Sequence, residues 1–122
     1  MPGKRLGETR ETGRQVSDGF EIVNQIVYSK KVIGRIKHKG LAELYRIGNT
    51  RKISADRIRK CVRILQLLDA AGQPEDLNVV GLHFHALQGL PGVWSVRVTA
   101  NYRITFGWSG EGAVDVDLED YH

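Results

Sequence analysis

A chain of 122 residues, 41% hydrophobic and 26% charged, has the size and balance of one small soluble domain. Its lone cysteine, Cys61, excludes an internal disulfide and fits a reducing cytoplasm, and no stretch nears the roughly 18 apolar residues that would span a bilayer. The net charge of +4 conceals a division: residues 35–63 carry ten basic side chains against Glu43 and Asp56, whereas residues 64–122 carry Arg97 and Arg103 against eight acidic ones. A basic half of this density reads equally as a polyanion-binding surface or as a solvated helix face.

In chain order, residues 1–31 form an extension. Met1 to Asp18 is polar and without period, which predicts disorder. Phe20 to Tyr28 is apolar enough for a short strand or helix, and its length leaves the choice open. The extension shows no apolar core followed by a small-residue cleavage site, so it does not read as a secretory signal. The domain pattern starts at Val32 and runs to His122.

Alternation over Ile33–Lys37 predicts a first strand. Lys39–Ile47 reads as a short helix with Leu41, Leu44 and Tyr45 on one face and Gly48 as its stop. A second helix starts at Ser54, a good N-cap flanked by Ile53 and Ile58 as a hydrophobic staple. Ile58, Cys61, Val62, Leu65 and Leu68 recur at helical spacing and form its buried stripe, and Gly72 and Pro74 end it. Cys61 is thereby a core residue.

The remainder alternates. His83, His85 and Leu87 share one parity; Trp94–Thr99 and Tyr102–Trp108 alternate on either side of an Ala100-Asn101 turn. Ser109-Gly-Glu-Gly112 reads as a hairpin loop, after which Val114, Val116 and Leu118 face inward with Asp115 and Asp117 outward. Strand, two helices and four strands predict an α+β domain: a small, largely antiparallel sheet with both helices on one face and a polar second face.

That polar face carries the chemistry. RNA brings its own nucleophile, the 2′-OH. In-line attack on the adjacent phosphate needs a base for the 2′-OH proton, a cation on the phosphate oxygens and an acid for the leaving 5′-oxygen. His85 and His122 are the candidate proton-transfer groups and Arg103 the phosphate clamp. Tyr121 offers a phenol for phosphate or a ring for a base, and Asp120 a carboxylate to orient a histidine. Taken singly, each of these residues also has a structural reading. A metal site is the rival: His83-x-His85 has suitable spacing, and Asp120 and His122 could join it. No cysteine pair favours zinc and no acidic cage favours magnesium. No glycine-rich phosphate loop is present, and burial argues against Cys61 as a nucleophile.

Five segments in order carry a family resemblance: Lys37-His-Lys-Gly40-Leu, the helix from Ala55 to Ala71, Leu82 to Gly89, Trp94-Ser-Val with Asn101-Tyr-Arg-Ile-Thr-Phe106, and the final Glu119-Asp-Tyr-His122. Over Ile33 to His122 the chain resembles the HigB toxins of the RelE superfamily. The resemblance implies a RelE-like fold and a type II toxin that cleaves messenger RNA in the A site of the 70S ribosome. It further implies no metal or other cofactor, a cytoplasmic location without membrane contact, and a helix-turn-helix HigA-like antitoxin through which alone operator DNA is bound. His85 matches the family's motif histidine, Arg103 the arginine after the aromatic, and Asp120, Tyr121 and His122 the C-terminal group. Arg97, Lys37, Lys39, Gln88, Arg57 and Lys60 are the candidate RNA-phosphate contacts. Gln88 stands where the family has lysine, and Thr99 where a basic residue is frequent. Arg97, two residues before Thr99, lies on the same strand face and is placed to substitute. The alternative is a RelE-fold module with weakened chemistry that binds ribosome or antitoxin and acts as a corepressor.

Overall fold

The computed structural model describes residues 32–121. The expectations for residues 1–31, and every role given to His122, lie outside the described residues.

Helix α1 spans Lys39–Ile47, the predicted range. His38 caps it: the Nδ1 atom accepts the Leu41 backbone N–H at 3.0 Å. Gly48 closes it in the left-handed region at φ 72°, donating to the Leu44 carbonyl, while Asn49 donates to Glu43. Helix α2 spans Ala55–Ala70. Cys61, Val62, Leu65 and Leu68 line its buried stripe as expected, joined by Ile64, while Ile58 packs at the margin. The start of α2 differs from expectation. The Ser54 hydroxyl caps no backbone N–H; it accepts Arg57 Nη2 at 2.7 Å, because the Arg57 guanidinium is held over the Tyr102 ring within reach. A 3₁₀ turn over Pro74–Leu77 follows, with Leu77 fully buried.

Four strands form one antiparallel meander in chain order: β1 His85–Ala86, β2 Val93–Arg97, β3 Tyr102–Ser109 and β4 Gly112–Asp120. The β1 strand is short because His83 sits at φ 51°, off the extended region. The ladder nonetheless continues through Leu87 N–H to Val93 O and Arg97 N–H to Leu82 O. Trp94 and Phe106 stand opposite each other with ring centroids 6.1 Å apart. With Val96, Ile104, Val116 and Leu118 they meet the helices in one core. The α+β architecture and the antiparallel sheet agree with the sequence.

Two expectations are corrected at β4. Thr105 pairs with Asp117 but Gly107 pairs with Val114, so β4 holds one extra residue, and Asp115 takes φ 50° there. This bulge reverses side-chain parity toward the hairpin. Ala113, not Val114, enters the core, and Val114 turns to the opposite face. The predicted first strand is likewise only an extended segment. Residues 33–37 run parallel to β4 through Gly34 N–H to Ala113 O, Val116 N–H to Arg35 O and Lys37 N–H to Val116 O, with a single bridge at Ile36–Val116. The bulge interrupts the regular repeat that a longer parallel ladder requires.

Asp69 Oδ1 ties this segment to both helices. It accepts Tyr45 Oη at 2.7 Å, the Val32 N–H at 2.9 Å and the Ile33 N–H at 3.3 Å. Burial first, then the Asp69 hydrogen bond, drive the Tyr45 phenol well above its ordinary value.

Candidate functional site

The face of the sheet away from the helices follows from register. His85 pairs with Ser95, Ser95 with Thr105, and Thr105 with Asp117, forming one row across all four strands. Arg97 pairs with Arg103, and Arg103 with Glu119, forming the adjacent row. Residues two apart on a strand share a face, so both rows project to the same side. Ser95 and Thr105 are 1% and 4% exposed at the centre of this face, so the longer side chains around them enclose its floor.

Arg103 is the most constrained of these groups. Its Nε and Nη2 donate to Glu119 Oε1 at 3.2 and 3.1 Å, and Thr105 Oγ1 lies 3.3 Å from Glu119 Oε2. The Tyr121 ring lies 4.9 Å from the guanidinium carbon. Arg97 is exposed directly across from Arg103. Like charges opposed on neighbouring strands repel, and an anion between the two guanidinium groups would relieve that repulsion. A cleft of about 380 Å³ opens beside Arg103, with Lys37, Glu119 and Asp115 as its charged wall and Leu87, Leu90 and Trp108 as its apolar wall.

His85 is exposed on β1. Its Nδ1 lies 2.8 Å from the His83 carbonyl oxygen. A carbonyl only accepts, so Nδ1 is the donor in this contact and Nε2 is not engaged in it. The left-handed backbone at His83 aims that carbonyl. His83 and His85 are thus linked ring to backbone, and among the described residues no group of three or more His, Cys, Asp or Glu side chains is arranged to hold a metal ion.

The remaining candidates divide. Arg97, Arg103, Tyr121, His85 and Lys37 share this face or its cleft. Asp120 pairs with Tyr102, on the helix side of β4, so alternation sets it apart from Arg103. Arg57 stacks on Tyr102 at 3.8 Å, and Lys60 Nζ reaches the Gly81 carbonyl at 3.4 Å; both belong to the helix side. Lys39 is exposed at the start of α1 and Gln88 in the β1–β2 loop, and neither lines the cleft. Glu119, Thr105 and the apolar wall were not singled out from sequence. Alternation alone put Glu119 in phase with Tyr121, but only the pairing register brings it to Arg103.

Comparison with known proteins gives the family. A family profile described as the RelE-like toxin HigB of type II toxin–antitoxin systems matches residues 34–122. An endoribonuclease HigB of Proteus vulgaris is 37% identical over 92 residues, which is 75% of this chain and 100% of the relative. The chain belongs to the RelE-like HigB toxins of type II toxin–antitoxin systems.

Proposed function

We propose that this toxin is an endoribonuclease that cleaves messenger RNA in the ribosomal A site by attack of the 2′-OH, without a metal. The observation that carries the reading is the Arg97–Arg103 pair, opposed across β2 and β3 on the sheet face that also bears His85. His85 stands two strands from Arg103 and one row along. At strand spacings that is about 10 Å across and about 7 Å along, a gap the two side chains and one phosphate bridge together. The endoribonuclease relative of the same family adds support.

In this mechanism Arg103 and Arg97 hold the non-bridging phosphate oxygens and stabilise the charge that grows on them. His85 Nε2, the ring nitrogen outside the His83 contact, takes the 2′-OH proton in this proposal. The Tyr121 phenol lies beside Arg103 to donate to phosphate or stack on a base. His122 completes the proposed C-terminal group and supplies the proton for the 5′-oxygen, while Asp120, on the helix side of β4, is proposed to orient that histidine rather than to meet the phosphate. Lys37 adds a positive charge to the cleft wall it shares with Glu119 and Asp115, and Lys39, Arg57, Lys60 and Gln88 are proposed contacts for RNA outside it. The partners follow from the reading: the 70S ribosome with its message in the cytoplasm, and a HigA-like helix-turn-helix antitoxin through which operator DNA is bound. Among the described residues no helix is long and apolar enough to cross a membrane.

The test is induction of the chain in cells with mapping of messenger 5′ ends, beside Arg103→Ala. Growth arrest with in-frame cleavage that disappears in the variant is the expected result. Normal growth without new ends would instead support a binding module acting as corepressor.

A further inference from the structure

We infer that Glu119 is a positioning residue for the cleavage reaction: anchored by Thr105, it fixes the guanidinium of Arg103 so that the outer edge of the fork meets the phosphate. The inference rests on the proposed role of Arg103 in holding that phosphate. Glu119 Oε1 receives both Nε and Nη2 of Arg103, at 3.2 and 3.1 Å, so the inner edge of the guanidinium is occupied. An arginine has five N–H donors, and those on the outer edge stay available for an anion. The second carboxylate oxygen is not idle. Thr105 Oγ1 donates to it at 3.3 Å from a position only 4% exposed, which stops the carboxylate from rotating. Tyr121 confines the guanidinium face at 4.9 Å.

A carboxylate here has an electrostatic consequence. Its charge lies near the site where phosphate must bind, and it opposes that binding. A group that weakens anion binding while fixing the anion's ligand acts on orientation rather than on affinity, so its removal should separate the two. A residue that only stabilised the sheet would alter neither rate nor affinity in the folded protein.

The test uses the full chain on programmed 70S ribosomes, under single turnover, reading the saturating cleavage rate and the half-saturating concentration. Glu119→Ala is expected to lower the saturating rate about 10- to 100-fold, the scale of a misplaced reacting group, with half-saturation unchanged or lower. Glu119→Gln keeps the oxygen that accepts from Arg103 and is expected to recover most of that rate. Combined with Arg103→Ala, the Glu119→Ala change is expected to cost nothing further, because it acts through the arginine. Should Glu119→Ala fail to fold, Thr105→Val provides the same reading: a smaller fall in saturating rate without a rise in half-saturation. A wild-type rate in Arg103→Ala would overturn the functional reading and this inference with it. Loss of activity in Arg103→Ala with a wild-type rate in folded Glu119→Ala, or an additive loss in the double variant, would overturn the positioning role alone.

Discussion

At the scale of single residues, Arg97 and Cys61 show how function and stability separate. Arg97 is exposed and opposes Arg103 across the β2–β3 ladder. Removing one of two like charges on facing positions relieves repulsion, so Arg97→Ala is expected to gain a few tenths of a kcal/mol in stability. In the proposed mechanism the same change removes a phosphate ligand, and RNA affinity is expected to fall about tenfold, the cost of a charge-assisted contact of ~1.5 kcal/mol. Urea unfolding and a ribosome-binding titration on the same preparation check the opposite signs. Cys61 is fully buried, and burial pushes its thiol up to about 11 against an ordinary value of 9.0, with the nearby Arg57 charge opposing only in part. A folded value above the unfolded one means that the stability linked to the neutral thiol is complete below pH 9 and is lost as pH rises through 11. Cys61→Ala is expected to cost about 1 kcal/mol at neutral pH through lost packing. It should also flatten the fall in stability between pH 9 and 11, as denaturant midpoints across that range would reveal.

At the scale of elements, the two helices are held by contacts that hydrophobic periodicity does not encode. Asp69 at the end of α2 gathers Tyr45 of α1 and the backbone of Val32 and Ile33. Tyr45→Phe keeps the ring in the core and deletes the hydroxyl, so it is expected to destabilise by about 1 kcal/mol in thermal or urea unfolding. A larger loss is expected at Gly40, in the first turn of α1. A Cβ built there would lie 2.9 Å from both the carbonyl oxygen and the Cβ of Lys52. Alanine normally gains roughly 0.5–1 kcal/mol over glycine inside a helix, but here it must displace the backbone of the loop leading to α2. Gly40→Ala is expected to lower the melting temperature; a rise would mean the loop yields freely.

The same scale explains how far the sequence could be read. The range of α1 was legible because Leu41, Leu44 and Tyr45 repeat at helical spacing ahead of a glycine stop, and α2 because its apolar stripe is unbroken. Local period and backbone permissiveness decide such elements. The parity of Val114 was not legible. It depends on one residue inserted between Thr105–Asp117 and Gly107–Val114, and that insertion is defined by the partner strand, not by β4 itself.

At the scale of the whole molecule, the division of charge along the chain becomes a division in space only in part. Strand β4 carries four acidic residues, Asp115, Asp117, Glu119 and Asp120, yet the sheet's two arginines meet on one face with His85, while Arg57 and Lys60 of α2 lie on the helix side. RNA binding is therefore expected to fall with salt through more than Arg97 and Arg103. Neutralising Lys60 should reduce the slope of log affinity against log salt by about one phosphate's worth while leaving the saturating cleavage rate unchanged. The described core closes around residues 33–118, and the family match begins at residue 34. A chain shortened to start at Val32 is accordingly expected to melt within a few degrees of the full chain; failure to fold would show that residues 1–31 are integral.

What the sequence by itself determined is everything that nearest neighbours control: the helices, the hairpin turns, the single core stripe, the α+β class and the polar face that holds His85, Arg97, Arg103 and Tyr121. Only the tertiary structure decided the contacts made across strands and between layers. It brought Glu119 and Thr105 to Arg103, moved Asp120 to the helix side of β4, diverted Ser54 from its helix to Arg57 and gave Val114's place in the core to Ala113. The reason is physical: a side chain's period is a property of its own segment, whereas its partner is fixed by register. One inserted residue changes that register without altering the composition that a sequence displays.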